Sequence, residues 1–256
     1  MGAEPFAILV VHDDDPIGHA VVKLLHASDT PVRTASSNMP ADDLACSAFG
    51  CRAIIAVGDR FAADPAVLGG ANMPGVRGLV VIVRGDVDLK PLRTRGVPYT
   101  VLRLAPLVED VIEELSPHLQ SGKLIIDPKD DVPVAAIAVA DAAECAVRAV
   151  DADDVCGRVV QIAAPDRLRV SELARAVARA RGRDVKVVAG WPRWALAALR
   201  AIGRRPFKLS AEIRSEPSAD GLASLHPGAW LTVEEVARTA TSGESRRNDE
   251  HATLGV

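Results

Sequence analysis

The apolar run Phe6-Ala7-Ile8-Leu9-Val10-Val11 is followed at once by His12-Asp13-Asp14-Asp15-Pro16-Ile17-Gly18 and then by the helical pattern Ala20–Leu25. A strand feeding a helix through so short a turn commits the chain to a crossover unit and hence to a parallel sheet. Further apolar runs alternate with helical patterns through the first two thirds of the sequence. Strands are predicted at Ala7–Val11, Pro31–Thr34, Ala53–Val57, Leu79–Val83, Tyr99–Leu104 and Arg158–Ala163. The spacing predicts helices from Ile17, over Asp42–Phe49, from Glu109 to a stop before Pro117, over Ala138–Val150 and over Ser171–Arg181, with a cap at Thr232 for the last one. His118 is expected in a loop after Pro117. The expectation is an α/β, Rossmann-like doubly wound parallel sheet over 1–163, a small, mostly helical C-terminal portion over 164–240 that carries a substrate site or lid, and a disordered tail over 241–256.

Composition narrows the class. The 256 residues are 48% hydrophobic and 25% charged, enough to bury a core, and at 3% aromatic that core is built from Ala, Val, Leu and Ile. A net charge of −4 speaks against broad nucleic-acid binding. No run is long enough for a membrane span, and no secretory signal opens the chain, so the cytoplasm is the expected location. Cys46, Cys51, Cys145 and Cys156 form no C-x-x-C pair and are expected as buried, reduced thiols; no metal site is expected.

The first strand–turn–helix is where a dinucleotide-binding chain carries its glycine-rich phosphate loop. At three-residue spacing the loop positions fall on His12, Asp15 and Gly18, and only Gly18 is a glycine. Asp13, Asp14 and Asp15 supply negative charge to the helix N-terminus from within the chain, each worth about 0.3–1 kcal/mol there. The loop is thus degenerate, and the expectation is that no dinucleotide is bound. After the second predicted strand no acid stands ready for ribose hydroxyls. Arg33, Ser36 and Ser37 would suit a 2′-phosphate, so NADP is the dinucleotide expected if one binds at all.

Several segments, in order, resemble the atypical short-chain dehydrogenase/reductase superfamily, nearest its NmrA-like and NAD-dependent epimerase-like branches. Ile8–Leu25 is similar to the first strand–turn–helix of that family. Val97-Pro98-Tyr99-Thr100-Val101-Leu102-Arg103 resembles its G-x-P-Y-T-I-L-R strand, Val134–Val150 its aspartate-led helix beside the substrate cleft, and Val159–Ala174 its later strand–turn–helix. The resemblance implies a nucleotide-binding fold with a ligand cleft at the carboxyl ends of the strands, between the two portions. It also implies a Ser or Thr at the end of the fourth or fifth strand and a Tyr-x-x-x-Lys or a related lysine on the following helix, and this chain has neither at those points. Leu79–Val83 runs into Arg84-Gly85-Asp86, Tyr99 has Arg103 four residues on, and Lys90 is the only lysine in the short stretch before Gly96.

The functional expectation is therefore a dehydrogenase-like protein that has lost dinucleotide binding and hydride transfer and works as a ligand sensor, regulatory partner or assembly subunit. The alternative is an enzyme, either an NADP-dependent oxidoreductase or a cofactor-independent isomerase, cyclase or lyase using the same cleft, with Asp13, Asp15, Arg84 and Asp141 as candidate acid, base or anion holders. The stretch 191–208 has five basic residues, no acidic ones and helical apolar spacing, which suits a protein partner. A homo-oligomer is compatible with all of these.

Overall fold

The computed structural model describes residues 7–120, 122–127, 129–189, 225 and 230–240. The expected helix over 191–208 and the tail over 241–256 lie outside the described residues. Two compact units are formed, and neither is continuous in sequence. The first takes 1–105, 139–162 and 217–229; the second takes 106–138, 163–216 and 230–256. This differs from the linear division at 163/164. The segment 106–138 leaves the first unit because α5 (Val108–Gln120) packs on α7 (Val170–Ala180).

The first unit is a six-stranded, all-parallel sheet of β1 (Ala7–Val11), β2 (Val32–Ala35), β3 (Cys51–Val57), β4 (Gly78–Val83), β5 (Tyr99–Leu104) and β8 (Val159–Ile162). Their spatial order is β2-β1-β3-β4-β5-β8. β1 to β5 follow the 2-1-3-4-5 order of doubly wound sheets, whose topological switch point lies between β1 and β3. The longer 3-2-1-4-5-6 order places one more strand outside β2; here α2 (Ala41–Ala48) carries the chain from β2 straight to β3.

Every residue of β1 is buried, because both faces of the sheet are covered. Leu9, Val11, Ile54, Ala56, Val81 and Val83 share one core with Leu44 and Ala48 of α2, with Val67 and Leu68 of α3 (Pro65–Ala71), and with Leu92 of α4 (Lys90–Arg95). Strand alternation sends Ile8, Val10 and Ile55 to the opposite face, where α1 (Pro16–Ala27) packs on α6 (Val139–Ala149).

The second unit is not purely helical. Besides α5, α7 and a helix over 233–240, it carries parallel β6 (Lys123–Ile126) and β10 (Lys186–Ala189), and the antiparallel pair β7 (Pro133–Val134) and β9 (Leu168–Arg169). Ile112, Leu115, Leu119, Leu124, Leu173 and Val177 form its core. Pro117 does not end α5; it sits inside the helix, and His118 is helical. The proline removes one backbone hydrogen bond, and the apolar face that continues to buried Leu119 compensates for it. Glycine at 182, with φ +62°, stops α7 as the sequence predicts. The Thr232 cap also forms: Glu235 N–H donates to Thr232 Oγ1 at 3.3 Å, and Thr232 N–H donates to Glu235 Oε2 at 2.8 Å. Cys51 and Cys145 are buried, whereas Cys46 and Cys156 are exposed. Cys46 lies on the outer side of α2, and Cys156 follows a short 3₁₀ turn at Asp153–Val155.

Candidate functional site

The loops after β1, β3 and β4 meet at the switch point, where an open sheet of this kind places its ligand. They enclose a cavity of about 460 Å³ lined by Asp13, Asp15, Gly58, Asp59, Arg60 and Arg84, over an apolar floor of Ile17, Val57, Phe61 and Ile82. A second hollow of about 410 Å³ lies beside it, between the β1 loop and the end of β2, lined by His12, Asp13, Asp14, Ser36, Asn38 and their neighbours.

Asp15 is the N-cap of α1. Its Oδ1 accepts the Ile17 N–H at 2.8 Å, and its Oδ2 lies 3.3 Å from Arg84 Nη2. Pro16 opens the helix, where a missing N–H costs nothing. Asp14 adopts φ +51°, a left-handed conformation that aspartate tolerates better than most residues, and its carboxylate lies 3.5 Å from His19 Nε2. Asp13 accepts the Ser37 N–H at 2.8 Å and is ion-paired with Arg60. Asp59 accepts the Arg84 N–H at 2.7 Å. Three carboxylates thus face two guanidiniums in this cavity, while Asp14 turns to His19, and every loop at the switch point is tied to another by a side chain.

His12 lies against Gly18. A Cβ added at Gly18 would stand 2.5 Å from His12 Cβ, closer still to Cγ, and 2.8 Å from Nδ1. The space that glycine leaves free for close helix–strand packing is therefore filled by an imidazole from the same chain. The ring meets His19 edge to face, with centroids 4.8 Å apart. Burial pushes the His12 pKa below its ordinary 6.5; His19 acts in the same direction, and Asp14 and Asp15 oppose it. The neutral ring is the form the folded chain favours.

The remaining expected site residues are dispersed. Arg33 donates from Nη1 to the Ser47 and Phe49 carbonyls, at 3.0 and 2.7 Å, and so serves the C-terminus of α2. Ser36 lines the hollow beside β2, and Ser37 offers its backbone N–H to Asp13. Asp141 is buried in the first turn of α6 and lines neither cavity of the switch point. Tyr99 is 7% exposed, and its hydroxyl accepts from Arg93 Nε at 3.4 Å. Among the described residues, no group of three or more His, Cys, Asp and Glu is placed to hold a metal ion, and no helix is long and apolar enough to cross a membrane.

The sequence reading did not single out Asp59 or Arg60. Both follow Gly58, directly after β3, and that position beside a switch point is the signal that would have found them.

Phosphate binding at a helix N-terminus needs free first-turn N–H groups and bare backbone beside them. Here Asp15 takes the Ile17 N–H, and His12 and Asp15 carry side chains where the loop needs glycines.

The fold is nevertheless that of the NAD(P)-binding reductases and epimerases of the short-chain dehydrogenase/reductase type. The chain is similar to triphenylmethane reductase from Citrobacter sp. in complex with NADP(H), with a TM-score of 0.64 and 16% identity over 92% of this chain and 100% of that one. It is also similar to an NADPH-dependent quinone oxidoreductase from Escherichia coli, with a TM-score of 0.62 and 18% identity over 91% of this chain and 99% of that one. Leucoanthocyanidin reductase from Vitis vinifera gives a TM-score of 0.63 at 13% identity, over 91% and 99% of the two chains. No family model and no curated protein sequence matches the chain.

Proposed function

We propose that this chain uses a dehydrogenase scaffold for recognition rather than for hydride transfer, as a ligand sensor, a regulatory partner or an assembly subunit. One observation carries the reading: the Asp15 carboxylate sits on the α1 amide that a phosphate would need, and Arg84 holds it there. A dinucleotide entering this space breaks the Asp15–Arg84 and Asp13–Arg60 pairs and sets its own negative charges against Asp13, Asp15 and Asp59. Inside a partly closed cavity that repulsion is stronger than in bulk water. The absence of the serine and Tyr-x-x-x-Lys set that the family resemblance implies points the same way.

Calorimetric titration with NADPH and NADH tests this reading. No binding is expected up to millimolar concentration. Micromolar or tighter binding of either dinucleotide overturns it.

A second reading, that of an enzyme, is supported by the similar solved structures, two of which are reductases named for NADPH or solved with NADP(H). NADP is then the cofactor, since no acid follows β2 to select ribose hydroxyls. A cofactor-independent isomerase, cyclase or lyase would instead use Arg60 and Arg84, which line one cavity. Consumption of NADPH with a panel of quinones and other carbonyl compounds distinguishes the oxidoreductase from both other cases.

A further inference from the structure

The second unit contains a cavity that the proposal above does not use. It holds about 560 Å³, within the range of small-molecule sites, and it lies beside α7 and the stretch 230–234. Val134, Leu168, Leu173, Ala176 and Trp230 give it an apolar wall. Five charged side chains ring this wall, and they differ in what already holds them. Arg179 donates from both Nε and Nη2 to Glu234 Oε1, at 3.2 and 2.7 Å. Glu172 accepts the Arg169 N–H at 2.7 Å. Arg175, one turn before Arg179 on α7, and Asp166, between β8 and β9, have no hydrogen-bond or ion-pair partner among the described residues.

We propose that this cavity binds a zwitterion of amino-acid size with an apolar body, its carboxylate on Arg175 and its ammonium on Asp166. The rim carries three carboxylates and two guanidiniums. A simple anion therefore meets net repulsion, and a simple cation leaves Arg175 without a partner. A zwitterion engages both open charges through charge-assisted hydrogen bonds while its body covers the apolar wall. This inference stands whether or not the α1 loop admits a dinucleotide.

Calorimetry on the full chain with L-phenylalanine, 3-phenylpropionate and 2-phenylethylamine tests it, because the three share one body and differ only in charge. Phenylalanine is expected to bind at least roughly tenfold more tightly than either analogue. Arg175→Gln is expected to reduce phenylalanine to the level of phenylethylamine while leaving phenylethylamine itself unchanged. Asp166→Asn gives the mirror result with phenylpropionate. Both positions are exposed, so neither change threatens the fold. Ala176→Phe fills the cavity and is expected to abolish all three titrations. The proposal is overturned if no compound binds at millimolar concentration, if phenylalanine gains nothing over its singly charged analogues, if both charge variants behave as the native chain, or if binding survives in Ala176→Phe.

Discussion

Gly18→Ala is expected to destabilise the protein, although alanine is ordinarily the better helix residue by about 0.5–1 kcal/mol. The new Cβ would meet His12 Cβ at 2.5 Å and Nδ1 at 2.8 Å. His12 Cβ is fixed to the end of β1, so no rotamer change relieves the clash; the backbone of the strand end or of α1 has to move. Overpacking of this kind costs about 1–3 kcal/mol, which leaves a net loss of up to about 2.5 kcal/mol, centred near 1, after the helix gain. Replacing His12 by alanine does not help, because the offending Cβ remains; His12→Gly removes it. In the His12→Gly background, Gly18→Ala is therefore expected to be neutral or stabilising. Urea unfolding of the native chain, the two single variants and the double variant closes the cycle, with an expected coupling of roughly 1.5–3 kcal/mol. A coupling below about 0.5 kcal/mol, or a raised midpoint for Gly18→Ala alone, would show that His12 does not crowd the space beside Gly18.

Other outcomes follow from the same structure. Asp131 Oδ1 accepts the Ser171 N–H at 2.9 Å and Oδ2 lies 3.1 Å from Ser171 Oγ, so Asp131→Ala is expected to cost about 1 kcal/mol as a lost cap, and Asp131→Asn less, read from urea midpoints. Because the folded chain lowers the His12 pKa below 6.5, the unfolded chain binds the extra proton first. The His12 contribution to stability is therefore present above pH 6.5 and is lost as the pH falls from there through the folded-state value. His12→Gln should flatten that part of a stability-against-pH curve, and an unchanged curve would reject the assignment. Burial first, then Asp141 and Glu144, push the Cys145 thiol up to about 12. A maleimide at mild pH is thus expected to label the exposed Cys46 and Cys156 quickly, with Cys51 and Cys145 reacting only in denaturant, as counted by intact mass.

The sheet was legible in the sequence because a parallel core leaves nearly unbroken apolar runs, and β1, β3, β4 and β5 all do so. α3 escaped because it is seven residues long with glycine at 69 and 70; Asp64-Pro65, a cap followed by an N1 proline, was the available signal. Gly70 is there because a Cβ would meet Leu44 Cδ2 at 2.9 Å, a contact that no local pattern reveals. β10 is a four-residue strand whose partner, β6, lies some sixty residues earlier, so pairing rather than propensity defines it. At the site, Asp15 and Gly18 could be read from the loop alone, since capping is local. The ties from Asp13 to Arg60 and from Asp15 to Arg84 could not, because they join residues that only the sheet order brings together. Arg33 shows the reverse case: its charge in β2 suggested a phosphate, and folding instead brings the carbonyls at the C-terminus of α2 within its reach.

Among the described residues no strand pairs with the outer side of β2, so this strand forms one margin of the sheet. Such margins invite strands from other molecules, and proteins blunt them by brevity, charge and proline. All three are present here: the strand spans four residues, Pro31 precedes it, and Arg33 stands within it with a guanidinium anchored to the neighbouring helix end. A foreign chain finds little length to zip against along this margin.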